Sequence, residues 1–320
     1  MLSGLTTAVK DACILNIVSD ALLPGRDKPL WPIIWEQLAP LEQLQLCPTQ
    51  GHSKDQTYSE QRLLLLLSML VTASNFDSQT FSPPPWLTIH PLKYSSCPAL
   101  LYKKGRHTAE PDIEGQGILG YIFYQPSCKR AYLVFTGTAN GCMSMIDMDY
   151  QQVTYDKLLN YQETVEGHRG FYQAYLSIRP QIIELLSGYQ NSRNLAELVI
   201  CGHSLGGALS TVATFDLAEL KPHHYNFAGP RVFNVAGANL FNQLVHSSCR
   251  VTNSSDIVPT MPMSVMPNGN SFNHVGTICE FQHNMGNYSD NHSLAYLFHF
   301  QLVEKVAAAV SDTSVRGEAR

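Results

Sequence analysis

The sequence predicts an α/β fold, with a mostly parallel central sheet flanked by helices. Two observations point to it. From Tyr121 onward short β-rich runs alternate with helical ones, and strands separated by helices pair in parallel with the helices laid on both faces. The run Glu197-Leu-Val-Ile-Cys201 ends in a glycine-rich turn and continues as an Ala-rich helical stretch, the strand-turn-helix order such a sheet requires. A length of 320 residues fits one large domain, able to bury about three quarters of its unfolded surface.

Taken in order, residues 1–56 mix short apolar patches with Pro24, Pro29, Pro32, Pro40 and Pro48. They read as an N-terminal extension packed on a main domain of residues 57–310. A helix is expected to start at Ser59 or Glu60 and to run through the leucine cluster, before Pro83-Pro84-Pro85 breaks the chain. Strands follow at 121–124 (YIFY), 131–135 (AYLVF), 197–201 (ELVIC), 225–229 (YNFAG) and 249–253 (CRVTN). Helices are expected around Gly170–Ser187 and from Ser204 to about Leu220. Residues 311–320 are polar and read as a frayed tail.

Composition excludes several functions. Charged residues make up 15% and apolar ones 44%, so the chain is neither disordered nor fibrous. A formal charge of −5 without a long Lys/Arg block argues against binding a phosphate backbone, and nucleic acid is not an expected partner. The longest apolar run, Leu63 to Ala73, is half of the ~20 residues a helix needs to cross a bilayer, and reads as a buried helix with no transmembrane segment. Near the N-terminus the apolar stretch is interrupted by Asp11, Asn16 and Asp20, a poor secretory signal. Cys13, Cys47, Cys97, Cys128, Cys142, Cys201, Cys249 and Cys279 form no CxxC pair, are too sparse for a disulfide framework, and read as mostly buried free thiols. These features favour a cytoplasmic location, although export by a route without a cleavable N-terminal signal would leave the same sequence.

The chemistry lies in Gly202-His203-Ser204-Leu205-Gly206, a G-x-S-x-G sequence between a β-rich run and a helical one, the context that makes the motif meaningful. Glycines two before and two after the serine permit a sharp turn that holds the hydroxyl exposed in a strained conformation. The helix N-terminus supplies amide donors where an oxyanion would form. A serine hydroxyl is a weak nucleophile and needs a histidine base with a carboxylate to orient it, in the chain order serine, acid, histidine. Asp216 lies about 18 Å along the nucleophile's own helix and cannot serve. Asp256 follows the CRVTN strand in Asn253-Ser-Ser-Asp256-Ile-Val-Pro259, on a loop at the strand's C-terminal edge, and is the candidate acid. Of the four histidines beyond it, His299 reads as a core residue and His283 has no element to fix it. His274 sits in an expected strand and competes, while His292, at a loop-to-helix junction, is preferred as base. The oxyanion donors are expected from Leu205 and from the Phe135-Thr136-Gly137-Thr138 stretch.

In these pieces the sequence resembles the class 3, fungal-type lipases of the α/β-hydrolase fold. The matching segments occur in the family's order: Phe135–Thr138, His168-Arg-Gly-Phe-Tyr-Gln-Ala-Tyr175, Gly202–Gly207, Phe227-Ala-Gly-Pro-Arg-Val-Phe-Asn234, Asn253–Pro259, and Asn291-His292 before a tyrosine-containing helix, together covering about residues 60–305. The resemblance implies Ser204 as nucleophile, Asp256 as acid, His292 as base, and the amides of Thr138 and Leu205 as oxyanion hole. It implies a cofactor-free serine hydrolase of lipid esters working through an acyl-enzyme and touching a lipid interface at most peripherally. Phospholipase A, a short-chain esterase, or a catalytically silent lipid- or partner-binding relative are the alternatives. Thr136 stands where the family has Arg, and Asn291 where it often has Asp. Secreted members carry disulfides and a signal peptide, and extracellular triglyceride digestion is not carried over. A lid is expected at residues 139–148, with Met143, Met145 and Met148 adapting to acyl chains; the alternative is a small buried helix using Met as filler.

Three other signals are discounted. Gly115-Gln-Gly117-Ile-Leu-Gly120 precedes a strand instead of a helix, the reverse of a dinucleotide site. His223-His224 lack metal-ligand spacing, so no metal is expected. Lys103-Lys104-Gly-Arg106 reads as a solvated loop.

Overall fold

A computed structural model describes residues 54–75, 86–95, 117–139, 141–156, 158 and 165–302. Residues 1–53 of the expected 1–56 extension, the triple proline, the Lys103–Arg106 cluster and the C-terminal tail lie outside the described residues.

The leucine-rich helix α1 (Lys54–Ala73) starts a few residues earlier than expected. Leu63, Leu64, Leu65 and Leu67 are fully buried, so this stretch is covered on all sides. Its polar residues close on their own backbone, Ser68 Oγ donating to Leu64 O at 2.8 Å and Thr72 Oγ1 to Ser68 O at 3.0 Å. Then come β1 (Thr88–Tyr94), β2 (Gly117–Gln125), β3 (Arg130–Phe135), α2 (Gly141–Met148) and a small hairpin, β4 (Gln152–Thr154) with β5 (Glu166–His168). The long α3 (Arg169–Asn191) precedes β6 (Glu197–His203) and α4 (Leu205–Asp216). After β7 (His223–Phe227) come α5 (Val235–Leu244), β8 (Ser248–Asn253), β9 (Thr277–Phe281), α6 (Tyr288–His292) and α7 (Leu294–His299).

The main sheet has the order β1-β2-β3-β6-β7-β8-β9. β1, β2 and β3 pair antiparallel, and every pairing from β3 through β9 is parallel, in agreement with the mostly parallel sheet read from the sequence. Both faces are covered. In β3, Ala131, Leu133 and Phe135 join the core beneath α3 and α4, while Tyr132 and Val134 join the core beneath α1. In β6, Leu198 and Ile200 face the first core, Val199 and Cys201 the second. Burial on both faces makes these strands continuous apolar runs. At the sheet's N-terminal edge, buried Arg130 donates to Glu60 of α1 at 2.6 Å and also pairs with Glu197, and Tyr225 OH donates to Glu60 Oε2 at 2.7 Å. This network ties α1 to the sheet at the end opposite the catalytic motifs.

Several expectations change. The helix after Ser204 ends at Asp216, and a single 3-10 turn, Ala218–Leu220, completes the segment. His274 lies before β9 instead of inside a strand, because Gly276, at φ +72°, turns the chain into the strand that starts at Thr277. Among the four described cysteine side chains only Cys201 is buried; Cys128 and Cys249 are half-buried and Cys279 is exposed. No described helix is long and apolar enough to cross a membrane.

Candidate active site

The parallel strands all run toward one edge, and their C-terminal ends gather the motifs there. β6 delivers Ser204 into a turn with φ 61° and ψ −125°, a left-handed conformation rare for a residue with a side chain. Ser204 N donates to Phe227 O at 2.9 Å, holding the turn against β7. The flanking glycines are needed for closeness. A Cβ on Gly202 would stand 2.2 Å from the Gly206 carbonyl carbon, and one on Gly206 would stand 2.4 Å from Phe135 O. The turn is therefore pressed against its own helix and against the end of β3, which carries the expected oxyanion segment.

Three expected residues converge here. His292 Nε2 lies 2.8 Å from Ser204 Oγ, and His292 Nδ1 lies 2.9 Å from Asp256 Oδ2. All three side chains are buried, so Ser204 is not the exposed hydroxyl expected from the motif. Asp256 is held from two further directions: Tyr296 OH donates to Oδ2 at 2.9 Å and Val258 N donates to Oδ1 at 2.9 Å. The geometry sets the tautomer, with Nδ1–H pointing at the carboxylate and the Nε2 lone pair facing the serine hydroxyl.

His203 Nε2 donates to the backbone carbonyl of His292 at 2.8 Å. Burial and the neighbouring His292 hold the His203 imidazole well below the ordinary histidine range, so it stays neutral. Asn253 joins the acid's strand to the segment bearing the base, with Nδ2 donating to His283 O at 2.8 Å and to Asn291 O at 2.9 Å. Asn291, at the position where class 3 lipases often have Asp, accepts from Met285 N at 2.6 Å and so still braces the loop before His292.

The other candidates go elsewhere. His274 Nε2 donates to Pro259 O at 2.7 Å, and burial with help from Arg250 and Arg231 pushes its imidazole down to about 3. His299 stacks on Phe281 at 4.1 Å. Asp216 receives Arg179 Nε at 2.7 Å and Tyr175 OH at 2.6 Å, a structural role.

The oxyanion segment is anchored from α1. Thr72 Oγ1 accepts from Gly137 N at 2.8 Å, and Asn75 Nδ2 donates to Thr136 Oγ1 at 3.3 Å. Thr136, replacing the family's Arg, is therefore supported by the end of α1. Among the described residues, no hydrogen-bond partner engages the amides of Thr138 or Leu205. The Thr138 side chain donates to Asp147 on α2, whose carboxyl is pushed up to about 7 by burial against the opposing effects of Thr138 and His292. α2 is seated by Gly170, where a Cβ would stand 2.0 Å from Ile146 O, and by Arg169 Nε donating to Asp149 Oδ2 at 2.7 Å just past its end. Met143 and Ile146 are buried and Met148 is exposed; the side chain of Met145 is outside the described set. Thr72, Asn75, Asp147, His203 and Tyr296 were not found from the sequence, since each acts on a group remote in the chain or on a helix face with no signature. No cluster of three metal-ligating side chains occurs among the described residues.

Residues 132–266 match the family model described as lipase (class 3). Over this segment the chain is similar to the class 3 lipases. It is 28% identical over 148 residues to secreted mono- and diacylglycerol lipase 1 of Fusarium solani, covering 46% of this chain and 43% of that protein. It is 26% identical over 164 residues to a lipase of Rhizopus niveus, covering 49% and 40%. The chain thus spans less than half the length of these relatives. The structure superposes on lipase II from Rhizopus niveus with a TM-score of 0.53 at 18% identity, covering 77% of this chain and 91% of that one, and shares its α/β-hydrolase fold. The secreted Fusarium relative overturns the cytoplasmic expectation. That expectation rested on an interrupted N-terminal apolar run and on cysteines read as buried thiols, and Cys279 is in fact exposed.

Proposed function

We propose that this chain is a class 3 lipase and hydrolyses carboxylic esters of lipids through Ser204, His292 and Asp256. The observation that carries this reading is the unbroken line from Ser204 Oγ through both nitrogens of His292 to Asp256, at 2.8 and 2.9 Å. His292 Nε2 takes the hydroxyl proton as Oγ attacks the ester carbonyl carbon. The oxyanion is received by the amides of Thr138 and Leu205, each such donor being worth about 2.7–4 kcal/mol to the transition state. His292 returns the proton to the alkoxide, which leaves as the alcohol. Water, deprotonated by the same nitrogen, then releases the acid and restores Ser204. Asp256, fixed by Tyr296 and Val258 N, keeps the imidazole turned correctly.

Burial of Ser204 and the seat of α2 beside Thr138 support a covering role for α2, which has to shift for a lipid to enter. Met148, 42% exposed on this helix, is suited to touch an acyl surface. The secreted relative favours action outside the cytosol. The test is hydrolysis of p-nitrophenyl esters from C2 to C16, as monomers and micelles, with diacylglycerol and phosphatidylcholine compared as natural substrates. Ester hydrolysis lost in Ser204→Ala supports the reading, and equal signals from both proteins point to a binding protein instead.

A further inference from the structure

On the last two strands, Cys249 of β8 and Cys279 of β9 turn their sulfurs toward each other at 2.6 Å, closer than two unbonded sulfur atoms settle. The register pairs Cys249 with Thr277 and Val251 with Cys279, so the two cysteines lie two positions apart along the strands and project from the same face of the sheet. Gln61 Nε2 of α1 approaches Cys249 Sγ at 3.6 Å from that side. Cys279 is exposed at the sheet edge, open to a reagent in solution, and Cys249 sits behind it. The strand they join is weakly held, because β9 is an edge strand whose residues from Thr277 to Glu280 are all exposed.

We propose that Cys249 and Cys279 are a site of covalent modification, closed to a disulfide by exchange with a small-molecule disulfide such as oxidised glutathione. The thiolate of Cys279 attacks one sulfur of glutathione disulfide, breaking its S–S bond, forming a mixed disulfide and releasing one glutathione thiolate. Cys249 then attacks Cys279 Sγ, forming the protein disulfide and expelling the second glutathione. The two cysteine protons end on the two glutathione molecules, so two protein thiols are oxidised and one glutathione disulfide is reduced. Burial and the adjacent Cys279 raise the thiol of Cys249, so it is not the first to attack; its part in the second step rests on contact, its sulfur lying 2.6 Å from Cys279 Sγ.

The bond would tie β9, which leads into the segment carrying His292, to β8, which leads to Asp256. Asn253 already joins the same two strands at their far ends, accepting from His283 N at 3.0 Å and donating to His283 O at 2.8 Å. The covalent link would hold the near ends.

The experiment is peptide mapping of the full chain after incubation with oxidised glutathione, denaturation and alkylation with iodoacetamide, with and without prior reduction. The expected result is a Cys249–Cys279 linked peptide pair that resists alkylation until reduced. The Tm of the oxidised protein should lie about 5–10 °C above that of the reduced protein and of Cys249→Ser/Cys279→Ser, the range for a disulfide of ordinary strength in a chain of this size. Alkylation of both cysteines in the oxidised protein would overturn the proposal, as would a stable glutathione adduct on Cys279 alone or pairing of either residue with another cysteine.

Discussion

His203 Nε2 donates to the backbone carbonyl of His292 at 2.8 Å, so the residue before the proposed nucleophile holds the main chain of the proposed base. The two imidazoles are also neighbours, tilted by 41° with centroids 4.7 Å apart. A displaced base loses the near-attack geometry on which transfer of the serine proton depends.

Replacing His203 with Phe keeps the volume and removes the donor. Steady-state kinetics should show kcat reduced on the order of 10- to 100-fold with KM nearly unchanged, and His203→Gln should recover part of the loss through its side-chain N–H. An unchanged kcat in His203→Phe would show that the hydrogen bond positions nothing.

Tyr296 offers a second test of support. Its hydroxyl donates to Asp256 Oδ2 and accepts from Asn253 N, both at 2.9 Å. Tyr296→Phe leaves that amide buried without its acceptor, which costs about 1–3 kcal/mol of stability in urea unfolding. Asp256 also loses one of its fixed donors, and kcat should fall with it. Wild-type stability and kcat in the variant would remove Tyr296 from the account.

Much of this site was legible in the sequence because the turn at Ser204 needs glycine on both sides and because strands buried on both faces read as unbroken apolar runs. Asp256 followed from its place after a strand. The supports were not legible. His203 and Tyr296 act on groups 89 and 40 residues away, and Asn253 meets His283 across 30. No spacing rule reports such contacts. β1 mixes Pro91 and Lys93 into its run, and β4 and β5 have three residues each, so none of them shows a clear period. The compartment was misread because cysteine pattern and N-terminal hydropathy are indirect reporters of it.

The carboxyl of Asp147 gives a pH dependence whose sign is fixed. Its folded value of about 7 stands above its ordinary 3.8, so between these the folded protein binds a proton that the unfolded chain has released. Stability from this group is present at acid pH and is lost as pH rises from 3.8 through 7. Thermal melts should therefore show a steeper decline in Tm over that window for the parent than for Asp147→Asn. Parallel Tm profiles would show that Asp147 is not protonated in the folded state.

Arg130 anchors α1 to the sheet far from the chemistry. Arg130→Met leaves Glu60 and Glu197 buried without their cation, and should cost about 3–5 kcal/mol in denaturant unfolding while the rate per folded molecule stays near that of the parent. A loss of kcat without a loss of stability would reverse the assignment of this network to the scaffold.

The central claim is that Ser204 is a nucleophile activated by His292 and Asp256, and covalent labelling by a fluorophosphonate tests it most directly. The protein is incubated with the probe in the presence of detergent micelles, and the adduct is located by peptide mass. A single adduct on Ser204 is expected, absent in Ser204→Ala and formed at least a hundredfold more slowly in His292→Ala, as removing a general base requires. No adduct, or labelling that persists at the same rate without His292, would contradict it.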